Sequence, residues 1–114
     1  MSVFGTPRKT IHHYASHGDY FDLMDIEYLL KEGGIGVDCR GGDSGDTPLL
    51  LAAANKRDDG RSFVAEMLIK HGANLNARNR LGRTPLHVAV SWGHADVVEL
   101  LTQHGAVVNA RASD

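Results

Sequence analysis

Seven histidines, one cysteine and a Gly-Asp-Ser-Gly string are the residues of this chain best equipped for chemistry. His13 and His17 stand four apart, which puts both on one face of a helix in a spacing that zinc sites use. Only Asp19 lies near as a third ligand, so no metal is expected. Cys39 is the only cysteine, which excludes an internal disulfide and a cysteine-based zinc cluster. Gly42-Asp43-Ser44-Gly45 contains the string found around a serine-protease nucleophile, but all four residues are turn formers and 114 residues leave no room for the double barrel that uses it. Gly33-Gly34-Ile35-Gly36 resembles a phosphate loop in composition alone, since no Lys-Ser/Thr pair follows and the element before it reads as a helix. Thr6-Pro7-Arg8-Lys9 fits a proline-directed phosphorylation consensus, which makes Thr6 a candidate modification site. No acid–base pair, partnered nucleophile or cofactor fingerprint is visible, so neither catalytic residues nor a cofactor are expected and the chain does not read as an enzyme.

Bulk properties narrow the partner classes. Hydrophobic residues make up 42% and charged residues 23%, enough apolar surface for one small folded domain. The net charge of -2 gives no electrostatic reason to expect nucleic acid, and the basic residues do not concentrate in any third of the chain. The longest aliphatic run, Leu49 to Ala54, is too short to cross a bilayer, and residues 1–10 lack a signal-peptide core. A place in the cytoplasm or nucleus is the expectation, with no membrane partner.

The elements that must position these residues come from a repeat. Shifted by 33 positions, Glu66-Met67-Leu68-Ile69-Lys70-His71-Gly72-Ala73 falls on Glu99-Leu100-Leu101-Thr102-Gln103-His104-Gly105-Ala106, and Leu75-Asn76-Ala77-Arg78 on Val108-Asn109-Ala110-Arg111. Gly45-Asp46-Thr47-Pro48-Leu49 matches Gly82-Arg83-Thr84-Pro85-Leu86 at a shift of 37, which places four extra residues within residues 55–59. A weaker copy comes first, with Ile11-His12 answering Leu86-His87, Gly18 answering Gly93 and Leu29-Leu30 answering Leu100-Leu101. In the third unit Thr84 caps a helix whose first turn accepts Pro85. Leu86, Ala89 and Val90 line that helix, Val97, Val98, Leu100 and Leu101 line a second, and Gly105 ends it in the left-handed region.

Gly82-Arg83-Thr84-Pro85-Leu86-His87, with Gly93-His94, Val97-Val98, Leu100-Leu101, Gly105-Ala106 and Val108-Asn109-Ala110, resembles a nearly complete ankyrin consensus. The resemblance covers residues 9–111; the second unit has Leu50 where the family carries histidine, and the first lacks Thr-Pro. It implies an all-α ankyrin-repeat solenoid of three helix-turn-helix units joined by β-hairpin-like turns, with repeats at about 9–40, 41–78 and 79–111 in one domain, 9–114, after a flexible tail, 1–8. It also implies a module that binds another protein, a regulator or adaptor, the narrower alternative being a dedicated stoichiometric inhibitor of an enzyme or transcription factor.

By family position the binding face comprises Arg40, Asp43, Ser44 and Asp46 on the first finger, Arg78, Arg80, Leu81 and Arg83 on the next, and Ala54, Asn55, Ser91 and Trp92 at helix ends. Trp92 reads as an anchor, with packing over the inserted segment as its structural alternative. Arg78, Arg80 and Arg83 read as a cationic finger beside it, with solvated charge as theirs. Asn76 and Asn109 hold the turn position that is hydroxylated in some ankyrin proteins, with turn stabilisation as the alternative. Val97, Val107 and Val108 suggest an unprotected apolar end of the third unit and so a route to self-association.

Overall fold

The computed structural model describes residues 10–18, 22–32, 35–58 and 60–106. The expected tail, Thr6, Val107, Val108 and Asn109 lie outside the described residues.

Among the described residues six α-helices form three pairs: α1 (Ile11–His17) with α2 (Leu23–Lys31), α3 (Pro48–Ala53) with α4 (Arg61–Lys70), and α5 (Pro85–Trp92) with α6 (Ala95–Gln103). No strand appears among them, and the fold is all-α. First helices stack as one layer, α1 on α3 on α5, and second helices as another, α2 on α4 on α6. The stack is elongated, 42 × 26 × 21 Å.

Helices of six to ten residues are too short to persist alone in water, so caps and packing must supply what propensity does not. Thr47 and Thr84 accept the amide hydrogens of Leu50 and His87 at 3.3 Å, and Pro48 and Pro85 occupy the first turn where a missing N–H costs nothing. His87 completes a reciprocal cap by accepting from the Thr84 N–H at 3.1 Å through Nδ1. The first unit lacks Thr-Pro, yet Thr10 caps α1 by accepting from the His13 N–H at 3.1 Å.

The core runs through all three pairs. Ala15, Ala52, Ala53, Ala65 and Ala89 are fully buried, and their small side chains bring neighbouring helices close. Ile26, Leu49, Val64, Leu68, Val97 and Leu101 fill the layer between first and second helices.

Units are joined by polar bonds as well. His94 donates from Nδ1 to the Ala53 carbonyl at 2.8 Å, tying the third unit to the second. Asn55 donates to the Ala15 carbonyl at 3.0 Å and the Gly18 carbonyl at 2.9 Å, tying the second to the first. Ala15 and Ala53 are equivalent repeat positions, so Asn55 carries the bond that histidine carries one unit later. The extra residues after Asn55 close into a turn, with the Arg57 N–H on Asn55 Oδ1 at 2.9 Å and the Arg61 N–H on the Arg57 carbonyl at 3.0 Å. Arg61 then grips both carboxylate oxygens of Asp96 at 3.1 and 3.2 Å.

Three expectations change. Asn55, read as a partner-binding residue, is 1% exposed and is a structural fastener. Gly18 does not repeat the left-handed Gly93 (φ 71°); its φ is -73°, and a Cβ there would stand 2.3 Å from the Tyr14 carbonyl oxygen, so close approach is what requires glycine. Val97 is fully buried and does not contribute to an open end; among the described residues, Val90 is left 61% exposed where the equivalent Ala15 and Ala53 are covered by the next unit.

Asn55→Ala strands two buried carbonyl oxygens, and urea unfolding should show a loss of about 2–3 kcal/mol. Leu101→Ala, which opens a cavity, should cost about 2–5 kcal/mol in the same assay.

Candidate functional site

Two fingers project from the starts of the first helices. In the first, Gly41 and Asp46 exchange backbone hydrogen bonds at 3.1 and 3.2 Å, and Gly42 and Gly45 take φ of 73° and 64° to make the tip. In the second, the Asn79 N–H bonds the Arg83 carbonyl at 3.0 Å and the Gly82 N–H bonds the Asn79 carbonyl at 2.9 Å. Asn79 organises this turn through its side chain: Oδ1 accepts from the Leu81 and Arg83 amides at 2.9 and 3.1 Å, and Nδ2 donates to Asp46 Oδ1 at 3.1 Å. Asn79 was not among the expected site residues, although an asparagine opening a Gly-containing turn is a readable signal.

The arginines fasten the fingers together. Arg40 donates from Nη1 to the Gly45 carbonyl at 2.9 Å and to the Arg78 carbonyl of the next finger at 2.5 Å. Arg80 returns the contact, with its N–H on the Ser44 carbonyl at 2.9 Å and its guanidinium on the Asp43 carbonyl. Arg78 donates to the Gly82 carbonyl at 3.0 Å within its own finger. Arg83 and Leu81 point outward, Leu81 at 57% exposed. Asp43 and Ser44 are exposed at the first tip and Asp46 is half-buried. A shallow groove of about 230 Å³ runs from this tip along α1, lined by His12, His13, Ser16, Asp43, Ser44 and Asp46.

Trp92 is not beside the arginines. It ends α5, whose start carries the second finger, and eight residues at a rise of 1.5 Å put about 12 Å between them. The indole is 53% exposed; Lys56 Nζ, from the inserted segment, lies 5.4 Å from the ring centroid, and His94 stacks at 6.3 Å. One face of Trp92 therefore meets the insert, while half of the side chain stays open to solvent. Ser91 is exposed beside it and Ala54 is half-buried.

The remaining candidates fall elsewhere. His13 and His17 stack at 4.9 Å on the exposed face of α1, and among the described residues no three His, Cys, Asp or Glu side chains gather as metal ligands would. Cys39 is half-buried, and burial pushes its thiol pKa above the ordinary value. Asn76 is exposed in the turn after α4, where its N–H donates to Asn74 Oδ1 at 2.9 Å. No helix among the described residues is long and apolar enough to cross a membrane.

Comparison with known proteins places this arrangement. The family model described as "Ankyrin repeats (3 copies)" matches residues 4–79 and 59–112. The chain is 40% identical over 60 residues to ankyrin repeat domain-containing protein 63 of Mus musculus, covering 53% of the chain and 15% of that protein. It is 46% identical over 50 residues to Rabankyrin-5 of Homo sapiens, covering 44% of the chain and 4% of that protein. It is 39% identical over 71 residues to protein phosphatase 1 regulatory subunit 12A of Mus musculus, covering 62% of the chain and 6% of that protein. The chain thus spans a small fraction of each relative's length.

Asn79→Ala removes three bonds from the second finger. Amide exchange at Leu81 and Arg83 should accelerate, with a global stability loss of about 1 kcal/mol, because the site is half-exposed. For Cys39, a raised thiol pKa means less thiolate at a given pH. Its reaction with a disulfide reagent at pH 8 should be slower in the folded chain than in urea.

Proposed function

We propose that this chain, which belongs to the ankyrin-repeat family, binds a protein partner along its fingers and first helices and acts as a regulator or adaptor. Ankyrin repeats are protein-interaction modules, and the relatives include a phosphatase regulatory subunit. The observation that carries the reading to particular residues is the exposure of large apolar side chains that the core does not use: Leu81 at 57% on the second finger and Trp92 at 53% at the end of α5. The half of the Trp92 indole that Lys56 and His94 leave uncovered is apolar surface held in water, and tryptophan is a leading anchor type at interfaces. Arg83 on the same finger supplies exposed positive charge, which suits a partner with acidic residues flanking an apolar segment.

Affinity capture from native lysate tests this. Trp92→Ala should weaken retention of the partner seen with wild type by about 2 kcal/mol or more. Arg83→Ala should cost less, and its effect should shrink at high salt. The melting temperature should scarcely move for either variant. If Trp92→Ala unfolds the chain early and keeps its partner, the tryptophan belongs to the core and the chosen face is wrong. A regulator or adaptor should retain several partners, a dedicated inhibitor one.

A further inference from the structure

The cationic cluster is not the one that lies along a single finger. Arg83 stands apart, and Arg40 from the preceding finger joins Arg78 and Arg80 around a cleft of about 420 Å³ walled by Gly41, Gly42 and Gly45. Like charges gathered in one cleft repel, and a bound anion relieves that repulsion. Neither Arg40 nor Arg80 forms an ion pair among the described residues: their guanidinium groups touch only the carbonyls of Gly45, Arg78 and Asp43. The nearby Asp46 carboxylate instead accepts from Asn79.

The two guanidinium groups are also held in place. Each uses Nη1 on backbone oxygen, which leaves the Nε–Nη2 edge, the planar two-donor fork that matches an oxyanion. The stem of Arg80 lies across Gly45, where a Cβ would stand 3.3 Å from Arg80 Cγ. Gly45, at φ 64°, is the residue type that tolerates both the turn and this contact. Little side-chain freedom is left to lose on binding, which favours a ligand that uses both forks.

We propose that this cleft between the fingers binds a phosphate monoester dianion carried on a side chain of the protein partner. The proposal rests on the reading of the chain as a protein-binding module. A carboxylate offers two oxygens and one charge, enough for one fork. A phosphate monoester offers three terminal oxygens and a charge near -2, which answers both uncompensated guanidinium groups.

NMR titration of the full chain, read at the arginine Nε–Hε signals, tests the chemistry with phenyl phosphate and benzoate as probes. Phenyl phosphate should shift Arg40 and Arg80 saturably, and benzoate should bind at least tenfold more weakly. Arg80→Lys keeps the charge and removes the fork, so it should weaken phenyl phosphate at least fivefold. Trp92→Ala, at the far end of α5, should leave the titration unchanged. Immobilised chain should retain a peptide pool centred on phosphoserine at least tenfold over the same pool centred on serine. Benzoate binding as tightly as phenyl phosphate, an Arg80→Lys titration equal to wild type, or equal retention of the two pools overturns the proposal. Failure of the phosphate titration leaves Trp92-dependent capture standing, and loss of that capture leaves the titration intact.

Discussion

The carbonyl of one residue near the end of each first helix governs how this protein stacks. A helix of six to eight residues cannot satisfy its last carbonyls internally. In the first two units that orphan acceptor, Ala15 or Ala53, is taken by a side chain from the following unit. The bond does two jobs. It removes the cost of a buried unpaired carbonyl, and it fixes the spacing and rotation of one unit on the next. Fully buried alanines beside it allow the helices to approach closely enough for the bond to form. Without the neighbouring unit both the carbonyl and the alanine face would be open, which is why one unit does not stand alone.

The fingers inherit their alignment from that stacking. Once α3 and α5 are fixed side by side, the turns preceding them are adjacent, and the contacts between them need only short-range chemistry. Backbone oxygens at Ser44, Asp43 and Arg78 meet Arg80 and Arg40, and Asn79 meets Asp46. Arginine suits this because one planar group can serve two carbonyls and still keep free donors. The fingers are therefore fastened by the same residues that make them positive, and charge and rigidity are not separable there.

Most of the scaffold was legible in the residues because its signals are redundant. Thr84-Pro85 marks a helix start, Gly105 a stop, and a shift of 33 aligns a whole second helix, so an error at one position is corrected by the others. Asn55 was misplaced for a physical reason. The insertion breaks the register, so alignment from the first helix puts Asn55 opposite Trp92, while its bond is the one His94 makes. Chemistry identifies the equivalence and spacing hides it. Gly18 aligns with Gly93 but is glycine for a different reason: Gly93 takes a left-handed turn, whereas at Gly18 the need is for an absent Cβ. Periodicity separates inner from outer faces but not which end of a stack is covered, so it points Val97 to an open end where its neighbours bury it. The arginine cluster was half legible. Arg78 and Arg80 share a finger, but Arg40 reaches them only through a contact 38 positions away along the chain.

The separation of Trp92 from the arginine cleft shapes what a partner must look like. The indole ends α5 and the cleft lies beyond its start, so the length of the helix, about 12 Å, is the least that separates them and no single side chain can use both. A partner segment that engages both must run along α5, placing an apolar group near Trp92 and an anionic group at the fingers. In extended chain, at about 3.3 Å per residue, that distance is at least three to four residues. Both ends are preorganised, the arginines by carbonyl bonds and the indole by Lys56 and His94, so the cost of ordering falls on the partner. Selectivity then comes from spacing as much as from composition: a segment with the right groups at the wrong separation can satisfy one end while leaving the other solvated, and it forfeits the gain from joining two weak contacts in one ligand.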